Sequence, residues 1–110
     1  MKLIDLIQKT GYQTVSAGKD DAEIKEGYTG DLLSDVMANS SSDSVLITIQ
    51  AHKNTIAVAT LAGIKAIVIC NGRTVPDDMK QSAEVEGIAL LSTKKDQFTV
   101  SAEIFNLIKA

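Results

Sequence analysis

The sequence lacks tryptophan and contains a single cysteine, a single histidine and a single proline. The lone Cys70 cannot form an internal disulfide, and it supplies one of the roughly four thiolates that a typical iron–sulfur cluster needs. Cys70 and His52 together are too few for a zinc site of the Cys/His type within one chain. Any iron–sulfur cluster would therefore have to be shared with another chain.

Positive charge is also scarce. Eleven Lys and Arg stand against 14 Asp and Glu, and the formal net charge is −3. The cations are scattered singly except at 94–95, so no basic stripe could follow a phosphate backbone. No apolar run approaches the roughly 18 residues of a membrane helix, and Asp5 and Lys9 interrupt the N-terminal segment, unlike a signal peptide. We therefore expect a cytoplasmic protein that binds neither nucleic acid nor membrane.

Two catalytic motifs are absent. The chain has no G-x-x-x-x-G-K-[ST] phosphate loop, which excludes a kinase that binds its nucleotide with that loop. It also has no G-x-S-x-G elbow, which excludes the commonest serine hydrolases. The remaining enzymatic alternative uses His52 as a general base near Asp31 or Ser34, but no nucleophile or metal set accompanies it. We expect a protein that is not an enzyme.

Three nearly unbroken apolar runs stand out at residues 45–49, 66–70 and 88–92. Runs without polar alternation are typical of strands that are covered on both faces, as in parallel sheets. Helical segments that end in Gly-Ile separate the runs, and Pro76 marks the start of the second helix. The pattern predicts a βαβαβ unit. With 110 residues, 45% of them hydrophobic, we expect one α/β domain over residues 1–110.

Weaker patterns fill the remaining segments. The first half predicts a helix ending at Gly11, a strand at 13–17, an extended piece at 22–24, and a short helix in 31–38 capped by Thr29 or Asp31. The last segment predicts a helix capped by Asp96. Its apolar face is predicted to contain the following residues: Phe98, Ala102, Phe105 and Ile108.

A ligand site in a parallel sheet is expected at the carboxyl ends of the strands, where helix N-termini and loop amides converge. The polar residues that follow the three predicted strands are therefore candidate ligand-binding residues: Gln50, His52, Asn54, Asn71, Arg73, Ser92 and Thr93. Five of them also have a structural interpretation. Asn54 is a typical N-cap residue, and His52 can cap the same helix. Arg73 follows an Asn-Gly turn, where an arginine side chain is usually solvated. Ser92 and Thr93 can cap the last helix.

The segments EGYTGDLLSDVMA, TIQ-H-N, GIKAIVICNG and EGIALLST with DQFTVSAEIFNLI resemble the DRTGG domain family. The resemblance covers residues from about 12 to 108. Thr29 and Gly30 match the Thr-Gly of the family's name, whereas Gly27-Tyr28 replace its Asp-Arg and Asp31 replaces its last Gly. A later Gly-Asp-Arg turn of the family is replaced by QAHKN. We add Thr29, Gly30 and Asp31 to the candidate ligand-binding residues.

The resemblance implies a three-layer α/β/α sandwich with a mainly parallel sheet, similar to the N-terminal domain of HPr kinase. It implies a regulatory or assembly domain that dimerises and has no established catalytic residues. Such domains accompany phosphotransacetylases and CBS pairs, and stand-alone members lie near iron-only hydrogenase subunits. The resulting hypotheses are a domain that binds a small anion, a nucleotide or a partner such as an oxidoreductase, and a dimeric scaffold without a ligand. The sequence identifies no particular cofactor.

Overall fold

The computed structural model describes residues 1–109. Its helices and strands follow one another in this order: α1 (Leu3–Thr10), β1 (Gln13–Ser16), β2 (Glu26–Thr29), α2 (Leu33–Asn39), β3 (Ser44–Thr48), α3 (Lys53–Ala62), β4 (Ala66–Ile69), α4 (Asp77–Glu86), β5 (Ala89–Ser92) and α5 (Gln97–Ile108). The strands form one sheet in the order β1-β5-β4-β3-β2. β1 is antiparallel to β5, and the other neighbouring strands are parallel. The predicted mainly parallel sheet is confirmed.

Helices cover both faces of the sheet because successive strand residues point to opposite sides. On β3, Val45 and Ile47 pack in a core with residues of α1 and α5. Leu46, between them, packs in a second core with residues of α2, α3 and α4. The apolar runs have no polar alternation because both faces are buried. The predicted α/β/α sandwich is confirmed.

The second half of the chain follows the predicted pattern closely. Gly63 and Gly87 end α3 and α4 with φ angles of 76° and 68°, the left-handed conformation that glycine adopts at little cost. Pro76 occupies the N-cap of α4, and Asp77 and Asp78 lie in its first turn, where carboxylates complement the helix dipole. The predicted βαβαβ unit is confirmed.

The first half departs from the prediction at the second strand. The predicted extended piece at 22–24 forms an isolated antiparallel bridge between Glu23 and Lys2, and the buried Ile24 donates its backbone N–H to the Met1 carbonyl, but this piece is not a strand of the sheet. The strand is β2, at 26–29, and it pairs with β3. Its sequence, EGYT, has no apolar run because an edge strand is only partly buried. The burial pattern that revealed the central strands was therefore missing.

The predicted caps of α2 and α3 are wrong. α2 begins after Leu32 without a side-chain cap, so neither Thr29 nor Asp31 serves there. α3 begins at Lys53, which places Asn54 inside its first turn. Its N-cap position is held by His52, whose backbone is extended (φ −134°, ψ 149°).

The last helix is capped by Asp96, as predicted, and not by Ser92 or Thr93. The Asp96 carboxylate accepts a 2.8 Å hydrogen bond from the backbone N–H of Thr99. The Thr93 hydroxyl instead accepts from the backbone N–H of Lys95.

The predicted apolar face of α5 is wrong for most of its length. Val100 and Ile104 are buried, whereas Phe98 is 84% exposed and Phe105 is 60% exposed. Both sets of residues recur at helical spacing, so periodicity does not distinguish them. The side that packs also carries Gln97, which donates to the Asp31 carboxylate from the first turn. That contact is consistent with the observed rotation of the helix.

Candidate functional site

The carboxyl ends of β2, β3, β4 and β5 lie along one edge of the sheet, because these strands are parallel neighbours. The antiparallel β1 brings its first residue, Gln13, to the same edge, where it pairs with Ser92. The Ser92 hydroxyl lies 3.4 Å from the Gln13 side-chain oxygen. The edge therefore gathers polar groups from every strand.

At the β2–β3 side of this edge, Asp31 is the centre of a hydrogen-bond network. Its Oδ1 accepts from Thr48 Oγ1 at 2.9 Å, from the Ile49 backbone N at 3.0 Å and from Gln97 Nε2 at 3.0 Å. The Asp31 backbone carbonyl accepts from Gln50 Nε2 at 2.8 Å. Asp31 thus joins β2, β3 and α5, which is a structural role. We call this group the Asp31 network.

The two family-matched residues before Asp31 differ in their contacts. The Thr29 hydroxyl lies 2.7 Å from the Ser101 hydroxyl of α5. Gly30 continues the pairing with β3, since its backbone N donates to the Ile47 carbonyl at 3.1 Å. Both residues therefore lie next to the Asp31 network.

His52 and Asn54 lie apart from that network. The His52 side chain is exposed and has no hydrogen-bond partner among residues 1–109, while its carbonyl accepts from Thr55 N at 3.0 Å. Asn54 lines a groove between α3 and α4 together with Ser82 and Glu86. The structure therefore does not bring Asn54 to the strand-end cleft described below.

The loops after β4 and β5 are joined by backbone hydrogen bonds. Asn71 and Gly72 both have left-handed φ angles, 63° and 64°. The Asn71 backbone N donates to the Lys95 carbonyl and the Gly72 backbone N to the Thr93 carbonyl, each at 2.9 Å. This double turn directs the chain outward at Arg73, whose side chain is exposed.

Beside these loops lies an open cleft of about 400 Å³. Arg73, Lys80 and Lys94 line it, and Asp77 is its one carboxylate. We call it the cationic cleft. Its other lining residues come from β1, the end of β5 and the loops after β4 and β5: Gln13, Val15, Gly72, Thr74, Val75, Ser92 and Thr93. It contains three of the predicted site residues, Arg73, Ser92 and Thr93.

A smaller cavity of about 130 Å³ lies between β2 and α5. Ile47, Ile104 and Ile108 contribute to its wall, and Lys109 and Glu26, which also line it, are joined by a 2.9 Å ion pair. Of the predicted site residues, only Thr29 lines this cavity.

Titratable groups at the edge offer little for catalysis. Burial raises the pKa of Cys70 to about 11, so its thiol is protonated near neutral pH. The Thr99 backbone N–H lowers the pKa of Asp96, as expected for a cap. Among the described residues, no group of three or more His, Cys, Asp or Glu is arranged to hold a metal ion. No helix in residues 1–109 is both long enough and apolar enough to cross a membrane.

Several polar residues of the edge were not predicted, and they include Gln13, Lys80, Lys94 and Gln97. Lys94 is the second residue after β5 and could have been found by extending the set of strand-end candidates by one residue beyond Thr93. Lys80 lies in the first half of α4, where spacing from Pro76 predicts a position one turn into the helix. Nothing in the local sequence indicates Gln13 or Gln97, because their placement depends on β1 pairing and on the rotation of α5.

The architecture is that of a small three-layer α/β domain whose mainly parallel sheet collects its loops at one polar edge. The DRTGG domain family model matches residues 10–107. The chain therefore belongs to the DRTGG domain family.

A solved structure shares this fold. It is the crystal structure of the CBS and DRTGG domains of the regulatory region of Clostridium perfringens pyrophosphatase, complexed with the activator diadenosine tetraphosphate. The similarity has a TM-score of 0.70 at 14% identity, and it covers 94% of this chain and 45% of that chain. The present chain thus corresponds to less than half of that structure. No curated protein sequence matches the chain.

Proposed function

We propose that this protein is a non-catalytic regulatory domain that binds a small ligand at the carboxyl edge of its sheet. The observation that carries the proposal is the cationic cleft of about 400 Å³ at that edge. Ligands of open parallel sheets bind at the strand ends, and pockets for small molecules have volumes of about 300–1,000 Å³. Membership of the DRTGG family supports a regulatory role. So does the regulatory region of the pyrophosphatase, which was crystallised with a nucleotide activator.

The geometry favours binding over catalysis. A general base needs a substrate proton within hydrogen-bond reach and a partner that orients it. The His52 side chain is exposed and has no such partner among residues 1–109. Asp31 Oδ1 already accepts three hydrogen bonds, and Ser34 is exposed on α2. The alternative of a small enzyme using His52 therefore has little support.

A thermal-shift screen followed by calorimetry tests the proposal. Nucleotides, small anions and neutral metabolites should be compared. A ligand at about 100 times its Kd stabilises the folded state by about 2.7 kcal/mol, which raises the melting temperature of a domain of this size by about 10 °C. Arg73→Ala should reduce this rise, and His52→Ala serves as a comparison on the same edge. The proposal fails if no compound raises the melting temperature.

Assembly is the second candidate, and the exposed side of α5 favours it. Phe98 and Phe105 lie seven residues apart, two helical turns, with Ala102 between them, and both rings are largely exposed. Large apolar side chains grouped on one surface are typical of interaction sites. We infer that this stripe contacts a second copy of the chain, which would make the protein a homodimer.

Sedimentation at micromolar concentration tests the dimer. Phe98→Ser with Phe105→Ser should convert a dimer to a monomer. The matched control is Leu61→Ser with Val85→Ser, which removes two other exposed apolar side chains, 78% and 82% exposed, from α3 and α4. The idea is wrong if the wild type sediments as a monomer or if both pairs of substitutions act alike.

An oxidoreductase, such as an iron-only hydrogenase subunit, is a further possible partner, and it rests on the family resemblance alone. Co-purification with such a subunit from a cell that produces both would test it. We also propose that the protein is cytoplasmic and that residues 1–110 form a single domain.

A further inference from the structure

We propose that the cationic cleft holds the phosphate group of a small organic phosphate, with Arg73, Lys80 and Lys94 as its ligands. This assignment rests on the proposed function and names the class of ligand. The three cations come from three parts of the chain: the β4–α4 loop, α4 and the β5–α5 loop. Only the tertiary structure brings them to one cleft.

The charges in the cleft are unbalanced in a protein whose net charge is −3. Arg73, Lys80 and Lys94 form no ion pair among residues 1–109. Four other lysines contact carboxylates at 4.0 Å or less, and four more are also without an ion pair in the described residues. The cleft is therefore distinguished by bringing three unpaired cations to one place. The paired lysines are Lys25, Lys65, Lys95 and Lys109, and the other unpaired ones are Lys2, Lys9, Lys19 and Lys53. Converging cations repel one another, and a multivalent anion relieves that repulsion. Arginine can contact two phosphate oxygens at once, while the lysines supply mobile point charges.

Neutral groups in the cleft fit the phosphate as well. Thr74, Ser92 and Thr93 place hydroxyl groups along its wall. α4 also begins next to the cleft, but the carboxylates of Asp77 and Asp78 already complement its dipole, so the helix N-terminus is not counted among the phosphate ligands.

The remaining wall indicates that the phosphate is attached to an organic group. Val15 and Val75 are half-buried, pack on the core under α2, α3 and α4, and also line the cleft. This apolar wall is suited to a ring or an alkyl group. Asp77 repels phosphate but accepts from hydroxyl or amino groups. A nucleoside phosphate has all three features, namely charged oxygens, sugar hydroxyls and a flat ring.

Calorimetry with ADP and inorganic pyrophosphate tests the assignment. ADP should bind, and pyrophosphate should bind more weakly. Combining Arg73→Gln, Lys80→Gln and Lys94→Gln should weaken ADP binding by about a hundredfold, at about fivefold for each exposed cation. A control with Lys2→Gln, Lys9→Gln and Lys19→Gln makes the same change in net charge at exposed positions outside the cleft, and it should bind ADP like the wild type.

Amide chemical-shift mapping locates the bound ADP, and the largest changes should fall at residues 72–75, 77–80 and 92–94. Equal weakening in both triple variants would mean attraction to net charge only and would overturn the assignment. Tighter binding of pyrophosphate would overturn the organic part and support the phosphate part. If neither probe binds while a neutral compound raises the melting temperature, the assignment fails and the proposed function stands. If no compound of any kind binds, both fail.

Discussion

Replacing Asp31 with alanine would remove the acceptor that joins β2, β3 and α5 at the edge that carries the candidate site. Asp31 Oδ1 accepts from Thr48 Oγ1, Ile49 N and Gln97 Nε2 at 2.9 to 3.0 Å. Thr48 is fully buried, so its hydroxyl has little access to water if this partner is lost. The same substitution also frees Gln97, at the start of α5.

The size of the effect follows from these three hydrogen bonds. A hydrogen bond to a charged group contributes about 1.5–3 kcal/mol when it is well shielded. Asp31 is only half-buried, so we take about 1 kcal/mol for each bond. Asp31→Ala should therefore lower the free energy of unfolding by about 3 kcal/mol. Asp31→Asn keeps an oxygen that can accept the same bonds, so its cost should be about 1 kcal/mol.

Urea unfolding followed by circular dichroism measures both changes. The matched controls are Asp21→Ala and Asp21→Asn, at an exposed aspartate whose side chain makes no hydrogen bond among residues 1–109, and they should change stability by less than about 0.5 kcal/mol. An Asp31→Ala protein as stable as Asp21→Ala would refute the assigned role. Equal losses for Asp31→Ala and Asp31→Asn would show that charge matters and acceptor geometry does not.

Three further predictions concern the backbone, the thiol and the acid response. Gly18→Ala should cost about 2–4 kcal/mol in urea unfolding, because its Cβ would lie 2.6 Å from a backbone nitrogen of β5. Gly11→Ala has the same φ of +68° in open space and should cost about 1 kcal/mol, so equal losses would contradict the clash. Since burial raises the pKa of Cys70 to about 11, a thiol reagent at about pH 8 should label it only after denaturation, and rapid native labelling would be inconsistent with its burial. The Thr99 backbone N–H lowers the pKa of Asp96. The ionised cap should therefore stabilise the fold fully at pH values above about 4, the ordinary pKa of aspartate, and this stabilisation should be lost as the pH falls through the lowered pKa. Asp96→Asn should therefore melt below the wild type near neutral pH and converge with it in strong acid; a constant difference at all pH values would argue against this.

The parallel half of the sheet could be predicted because its signals are local. Residues 45–49, 66–70 and 88–92 are continuous runs of apolar residues, and each strand lies within or one residue outside its run. A strand buried on both faces must be apolar at every position, and glycine must end each helix where the left-handed conformation is required. These demands act within a few residues and are therefore visible in the sequence.

The candidate site was predictable only as far as strand order determines it. Parallel pairing of β4 with β5 places Asn71, Ser92 and Thr93 at one edge, because backbone hydrogen bonds alone fix the positions of the strand ends. Two of the three candidate residues in the QAHKN segment behave differently, because His52 holds the N-cap position of α3 and Asn54 lines the groove between α3 and α4. The positions of these side chains depend on where α3 begins, which shifts by one or two residues without a strong cap signal.

The sequence by itself determined the fold class, the βαβαβ unit, the cap at Asp96 and the edge where polar groups meet, because each depends on local conformational preference or on the period of burial. Only the tertiary structure decided that α5 buries Val100 and exposes Phe98, since both faces are apolar and the choice depends on what each face contacts. It also decided that Arg73, Lys80 and Lys94 share one cleft. Charge attraction and repulsion act through space, so residues far apart in sequence interact only once the chain has folded.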